Sequence, residues 1–378
     1  MKAVVFHAPG DIRLEDVPEP KIEVGTDAIV RITSSAICGT DLHMVRGTMS
    51  GMKPGTILGH EGVGIIEEVG KEVRNFRPGD RVVISSTIAC GYCSYCRAGY
   101  FSQCDNANPT RQGTAFFGGP ESTGPFQGLQ AEYARVPFAN IGLVRLSADI
   151  DDDAAILLSD IFPTGYFGAD IADINSGDTV AVFGCGPVGL FAIVSAFHFG
   201  AGRVIAIDKV PDRLAMARKR NAETVNFGQE DPVMIIRQLT GGVGVDRVID
   251  AVGVDAMSAG QPEGQKEWQP GDKPGQVLEW AVKCVAKAGT ISVIGVYPEQ
   301  MKEFPIGICM MKNLSVHGGN CNHRKYLPEL VELVRAGVFD PTEILTQKKP
   351  LTSAVDAYRH FDARETGWEK VELTPVAA

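Results

Sequence analysis

The amino-acid sequence predicts an α/β protein in two parts: a mostly β region over about the first 150 residues, then a doubly wound parallel sheet. Three observations carry this. Short β-branched runs separated by Gly, Pro and Asp turns fill the first part. Beyond Asp151, Val/Ile-rich strands alternate with helical segments, the rhythm of a parallel sheet covered on both faces. The chain has 378 residues, 44% hydrophobic and 22% charged, which suits two domains of ordinary size.

In the first part, "DAIVRITSSAI" and "GVGIIEEVG" read as strands, and "PGDRVVIS" as a turn feeding a strand. "DDDAAILLSDIFPTGYFGAD" opens on acidic residues, which favour a helix N-terminus. Then come "DTVAVFG" (strand), "PVGLFAIVSAFHFG" (helix), "RVIAID" (strand), "VPDRLAMARKRN" (helix) and "ETVNF" (strand). "DPVMIIRQLTG" (helix), "VDRVIDAVG" (strand), "GQVLEWAVKCVAKAG" (helix) and "TISVIGV" (strand) complete the series. Residues Val254 to Gly275 interrupt it with a polar Gly/Pro-rich stretch, far longer than the usual link, which reads as a lid or an insertion.

A net charge of −10 argues against a nucleic-acid or anionic-membrane surface. The start, "MKAVVFHAPGDIRLEDVPEP", has no apolar signal-peptide core, and nine cysteines, an odd number, fit a reducing cytoplasm. Val180 to Ile207 is apolar enough to imitate a membrane span, but Gly184, Gly186, Pro187 and Gly189 break it near its start. A buried strand, a tight turn and a buried helix are expected there instead.

That turn, "GCGPVG", reads Gly184-x-Gly186-x-x-Gly189, with Pro187 and Val188 opening the helix. Asp208 ends the next strand, 19 residues after Gly189. Strand, glycine turn, helix and distal acid together form the dinucleotide fingerprint of a Rossmann domain. Gly184 permits the turn, Gly186 lets a pyrophosphate approach the backbone, and Gly189 allows close helix–strand packing. Asp208 suits a free ribose 2′-hydroxyl and repels a 2′-phosphate, so NAD is favoured over NADP. Arg213, in the following helix, is placed near the adenine end.

"CGYCSYCRAGYFSQC" clusters Cys90, Cys93, Cys96 and Cys104 as C-x2-C-x2-C-x7-C. A reducing compartment argues against disulfides and leaves a metal or redox centre. Four thiolates close a tetrahedral ion and leave no open position, so such a site would stabilise rather than catalyse. Cys38 in "CGTDLH" and His60 in "GHEGVGIIEEVG" offer a thiolate and an imidazole elsewhere; a catalytic zinc needs a third ligand.

Together these motifs resemble the zinc-dependent medium-chain alcohol dehydrogenase family over essentially the whole chain. The resemblance implies a GroES-like, mostly β catalytic domain at 1–161 and 317–378, and a Rossmann coenzyme domain at 162–316. It implies two zinc ions per chain, one structural in the four-cysteine lobe and one catalytic on Cys38 and His60. The family's third ligand is usually a cysteine; here Asp160 stands at the corresponding position, as in proteins resembling glutathione-independent formaldehyde dehydrogenases and aldehyde dismutases. Thr40 and His43 match the proton relay, and Asp41 and Glu61 the acids that orient the ligands. Val252, Gly295, Val296 and His317 match residues beside the nicotinamide, and Lys370 a basic group that meets the pyrophosphate.

The expected activity is zinc-assisted hydride transfer between an alcohol, or a hydrated aldehyde, and NAD. An aldehyde dismutase that recycles bound NAD is the alternative, motivated by Asp160 and the 254–275 insertion. A metal-free quinone reductase would lack the ligand set, and a zinc-binding interaction module would lack the glycine fingerprint. The expected partners are a small alcohol or aldehyde and further copies of the chain, as dimer or tetramer. Phe101, Phe116, Phe126 and Tyr166 are aromatic candidates for the substrate pocket.

Overall fold

The computed structural model describes residues 1–111, 113–258, 267–297, 299 and 301–375. The chain divides into two compact units. The first comprises Met1–Pro163, a short piece ending at Trp268, and the chain from Cys321 on; the second starts at Thr164, is interrupted by that piece and ends at Asn320. The core of the 254–275 insertion, residues 259–266, lies outside the described residues, so the lid expectation rests there.

The first unit is built on β-structure. Its larger sheet has the order Gln347–Pro350, Val371–Thr374, Ala28–Ile37, Gly62–Val69, Arg81–Ile84, Leu143–Arg145, with Tyr133–Val136 also pairing with Ala28–Ile37. Ala28–Ile37 is made largely of β-branched and small residues, and is almost wholly buried because strands pair with it on both sides. Val30, Ile32, Ile66, Val82 and Ile84 form a core continuous with Cys90, Cys96 and Cys104. The strand Val371–Thr374 runs antiparallel to Ala28–Ile37, so a segment far along the chain adds to the sheet beside Ala28–Ile37.

The acidic start near Asp151 caps a helix as expected: its side chain accepts from the Ala154 N–H at 2.8 Å. The helix Asp152–Ser159 then stops, and a second begins at Ile161. Asp160 sits in the break, at φ −141° and ψ −64°, so its side chain leaves the helical register.

The second unit is a six-stranded parallel sheet: Thr179–Phe183, Arg203–Asp208, Glu223–Asn226, Val245–Asp250, Val285–Val293 and Ser315–Gly318. Numbered along this unit the strand order is 3-2-1-4-5-6, the doubly wound dinucleotide-binding order. The apolar stretch from Val180 to Ile207 is a strand, a helix over Pro187–His198 and a second strand. Among the described residues no helix is long and apolar enough to cross a membrane.

One segment departs from the sequence reading. The helix expected through Gly289 covers only Gln276–Cys284, and the next strand begins at Val285. Val285 pairs with Val245, and a bulge between Val245 and Arg247 absorbs the early start. His317 lies in the exposed edge strand Ser315–Gly318, still within the second unit.

Candidate active site

In the first unit, Cys38, His60, Glu61 and Asp160 are all buried, each placing one donor atom within 4.8 Å of the others. Three local structures bring them there. Cys38 follows the strand Ala28–Ile37 and caps the helix Gly39–Val45, its N–H donating to Asp41 Oδ2 at 2.9 Å. His60 follows Gly59, whose φ of +91° makes the turn into the strand Gly62–Val69; a Cβ on Gly59 would lie 2.4 Å from Gln130. Asp160 enters from the helix break. Its Oδ2 is 3.6 Å from Cys38 Sγ and 3.3 Å from His60 Nε2.

The surroundings hold these groups in place. Asp41 Oδ1 is 3.2 Å from His60 Nδ1. Gln130 donates to Asp41 Oδ2 at 3.4 Å and to the Ala36 carbonyl at 3.0 Å, and accepts from Tyr358 at 2.8 Å. Asp160 Oδ1 lies 2.6 Å from His323 Nε2. Burial works against charge on Asp160, but His323 and His60 hold its carboxyl well below the usual carboxylate range. Burial likewise opposes charge on His60, yet Asp41 and Asp160 raise its pKa well above the ordinary value. Burial pushes the Cys38 thiol up. The Phe116 ring meets His60 edge-on at 6.1 Å.

A thiol, an imidazole and a carboxylate converging in a buried site are a competent zinc set, with two anionic ligands against the ion's double charge. Glu61 is committed elsewhere: Lys370 Nζ lies 2.7 and 2.6 Å from its two oxygens and 3.1 Å from the Ile37 carbonyl. Lys370, expected to meet a pyrophosphate, is instead fully buried in this ion pair. Burial opposes its charge, but Glu61 raises its pKa. Thr40 and His43 stand three residues apart on the Gly39–Val45 helix and so share a face; Thr40 is half-buried and His43 buried.

The four-cysteine lobe also closes on itself. Cys90, Cys93, Cys96 and Cys104 bring their sulfurs within 4.8 Å of one another, and none of the nine cysteines is in a disulfide. Backbone N–H groups are aimed at the sulfurs: Tyr92 and Cys93 donate to Cys90 at 3.4 Å, Cys96 to Cys93 at 3.4 Å, and Cys90 to Cys104 at 3.2 Å. Despite burial, such bonds bring the Cys93 thiol down to about 7. Four thiols so arranged fit a fully coordinated structural zinc.

In the second unit the glycine turn has the geometry its sequence requires. Gly184 has φ +88°, and a Cβ on Gly189 would lie 1.8 Å from the Gly184 carbonyl oxygen. A Cβ on Gly186 would meet only the Arg213 guanidinium, at 3.6 Å, so an anion can approach this backbone. Pro187 and Val188 open the helix. Asp208 ends its strand, accepting from the N–H of Cys185 at 2.7 Å and from Lys209 and Val210 at 2.7 and 2.9 Å. The cradle fits a dinucleotide pyrophosphate.

The turns after the fourth and fifth strands of this sheet are tied together. Val254 N–H donates to the Val296 carbonyl at 2.8 Å and Gly295 N–H to the Asp250 carbonyl at 2.9 Å. Asp250 Oδ1 accepts from Val252 and Gly253, and Tyr297 donates to Asp250 Oδ2 at 2.6 Å. His317 donates from Nδ1 to the Ile171 carbonyl at 2.7 Å. Tyr166 packs on His198 and Phe199, and Phe101 and Phe126 against the core that includes Cys90, Cys96 and Cys104, while the Phe116 ring meets His60 of the Cys38–His60–Asp160 set. His323, Gln130, Tyr358 and Asp250 were not legible as site residues, because each acts through a partner remote in sequence.

Residues 25–147 match the alcohol dehydrogenase GroES-like domain family, and residues 187–260 the zinc-binding dehydrogenase family. An uncharacterized zinc-type alcohol dehydrogenase-like protein AdhB of Bacillus subtilis is 39% identical over 99% of this chain and 100% of its own length. A glutathione-independent formaldehyde dehydrogenase of Pseudomonas aeruginosa is 33% identical over 96% of this chain and 95% of its own. The solved alcohol dehydrogenase TADH from Thermus sp. ATN1 superposes with a TM-score of 0.86 at 35% identity, covering 99% of this chain and all of that one. Two zinc-competent donor sets and a dinucleotide cradle accompany these matches: the chain is an oxidoreductase with zinc and NAD as cofactors, and it belongs to the zinc-dependent medium-chain alcohol dehydrogenase family.

Proposed function

We propose that the chain oxidises an alcohol, or the hydrate of an aldehyde, with NAD, and runs the reverse reduction, using Cys38, His60 and Asp160 as the catalytic metal ligands. The convergence of these three donors carries the reading. Zinc held there supplies Lewis acidity, which lowers the pKa of a substrate hydroxyl. Cys38 and Asp160 balance the ion's charge, and Asp41 orients His60. Glu61 stays out of this set because Lys370 already neutralises it.

Thr40 takes the substrate's proton, since a hydroxyl accepts and donates at once. His43, on the same helix face, passes it toward water. NAD held in the second unit would supply the hydride acceptor, taking the hydride and its electron pair from the carbon that bears the hydroxyl. Gly184, Gly186, Pro187, Val188 and Gly189 bind the pyrophosphate, Asp208 the adenosine ribose with Arg213 beside it, and Val252, Gly295, Val296 and His317 border the nicotinamide. Cys90, Cys93, Cys96 and Cys104 hold the structural zinc.

We also propose that copies of the chain pair in the cytoplasm. The edge strand Ser315–Gly318 is exposed, and Ile306, Met310 and Met311, in the helix Ile306–Lys312 that precedes it in the chain, are 62, 75 and 86% exposed. Sedimentation showing only monomer would refute this.

A panel of primary and secondary alcohols and aldehydes, followed by NADH absorbance, tests the activity. Equal yields of alcohol and acid from an aldehyde without added NAD would select the dismutase instead. Asp160→Ala should drop zinc from about two to about one per chain and abolish turnover. Full zinc content and activity in that variant would refute the ligand assignment.

A further inference from the structure

We propose that Asn322 and His323 form a positioning element that ties the four-cysteine lobe to the catalytic metal ligand Asp160, so that the order of one site sets the metal affinity of the other. This rests on the reading of Asp160 as a ligand.

As its terminal torsion turns, an aspartate carboxylate can present either oxygen, or both, to a metal. In this protein the two oxygens are divided. Oδ2 faces Cys38 Sγ at 3.6 Å and His60 Nε2 at 3.3 Å, while Oδ1 faces His323 Nε2 at 2.6 Å. A hydrogen bond from His323 therefore fixes which oxygen is offered and in what plane. The ring is itself fixed from the other side, with Nδ1 at 3.2 Å from Thr87 Oγ1. When Nδ1 accepts from that hydroxyl, Nε2 carries the proton and donates to Asp160. Thr87 bridges to Phe116, the residue whose ring meets His60, so the groups beside Asp160 and His60 are linked through one backbone bridge.

The neighbouring residue points to the other cysteine site. Asn322 Oδ1 accepts from both the N–H and the hydroxyl of Ser102, each at 3.0 Å. Ser102 is buried between Cys96 and Cys104, two residues before the last sulfur ligand. Arg324 donates to the Leu143 carbonyl at 3.1 Å. Three consecutive residues at the start of the helix His323–Arg335 thus touch the lobe, the ligand and the sheet. A peptide unit joins Asn322 to His323, so a shift of Ser102 displaces the imidazole on Asp160. The four-cysteine lobe, closed to substrate, acts on the chemistry through this contact.

The test measures Co²⁺ affinity at the Cys38 site by chelator competition on the full chain, reading the thiolate-to-cobalt charge-transfer band. His323→Leu should weaken binding about 10- to 100-fold and alter the band, as loss of a hydrogen bond behind a ligand does. His323→Gln, which keeps a donor, should recover most of it. Asn322→Ala should weaken binding several-fold, and should add nothing to His323→Leu in the double variant. Wild-type affinity and band shape in His323→Leu would overturn the proposal. So would an Asn322→Ala protein altered only in the four-cysteine site, or an effect of Asn322→Ala fully additive with His323→Leu. If His323→Leu does not fold, Asn322→Ala and His323→Gln decide the matter by the same readout. Asp160→Asn separates the two readings: undiminished affinity there refutes the ligand assignment, whereas lost affinity there with wild-type His323→Leu refutes only the positioning element.

Discussion

Lys370 and Glu61 form an ion pair with neither side chain exposed: Nζ reaches both carboxylate oxygens, at 2.7 and 2.6 Å, across 309 residues of sequence. It joins the start of the C-terminal strand to the residue after His60, and Lys370 also donates to the Ile37 carbonyl one residue before Cys38. Breaking it from one side strands a buried charge. Lys370→Met should therefore cost about 3–5 kcal/mol in urea denaturation. Adding Glu61→Gln should restore most of that loss, because no charge is then left unpaired. A single variant as stable as the wild type would show that Glu61 is solvated or protonated.

Gly186 and Gly189 share one motif but should fail differently. A Cβ at Gly189 would overlap the Gly184 carbonyl, so Gly189→Ala should disturb the packing of the helix on its strand and lower stability as well as NADH binding. At Gly186 the backbone has φ −66°, open to any residue, and a Cβ would meet only Arg213. Gly186→Ala should therefore keep its stability within about 1 kcal/mol while NADH affinity falls at least about tenfold. Circular dichroism melts with fluorescence titration of NADH distinguish the two; tight NADH binding by Gly186→Ala would place the pyrophosphate elsewhere.

The parts legible in the sequence are those whose logic is local. Four cysteines within fifteen residues, and a glycine turn between a strand and a helix, declare themselves without the rest of the fold. Asp160 was reachable through resemblance, and Pro163, which has no N–H for the Ser159 carbonyl, marks a helix break in the sequence, but not the direction in which that break aims the Asp160 side chain. His323 is 163 residues from Asp160, and no spacing rule joins them. Lys370 misleads for the same reason. By resemblance Lys370 was expected to meet a pyrophosphate, and the pairing of Val371 with Ile37 instead turns it inward toward Glu61. The helix drawn too long at Cys284 shows tertiary context overriding propensity: Val285 and Ala286 follow a helical period but are captured by the sheet.

Glu372 gives the protein a pH dependence of the opposite sign to that of an ordinary paired carboxylate. Its side chain is fully buried, and burial pushes its pKa up to about 7 against the pull of Ser34 and of Lys348, 3.4 Å away, with Asp153 adding to the rise. An unfolded glutamate ionises near 4.5. Between these values the folded chain holds a proton that the unfolded chain has released, so stability falls as pH rises from about 4.5 to about 7. Glu372→Gln cannot titrate and should remove that fall, on the order of 1–3 kcal/mol at pH 8. Denaturation series at pH 5 and pH 8 check it; parallel profiles for both proteins would mean that Lys348 keeps Glu372 ionised throughout.

Cys93→Ser separates the two cysteine-bearing sites from the coenzyme cradle. Its sulfur accepts the Cys96 N–H, and its lowered pKa supplies a thiolate near neutral pH without a large proton penalty. A serine hydroxyl is a far poorer zinc ligand, so zinc should fall toward one per chain and the melting midpoint should drop. The loosened lobe includes Ser102, whose bonds to Asn322 sit behind Asp160, so Co²⁺ affinity at the Cys38 site should also decline. NADH affinity should stay within about twofold, because the glycine turn belongs to a unit with its own hydrophobic core. Metal analysis, a thermal melt and an NADH titration on one preparation read all of these. Two zinc ions retained per chain would contradict the closed four-thiolate site, and a collapse of NADH binding would contradict the independence of the coenzyme unit.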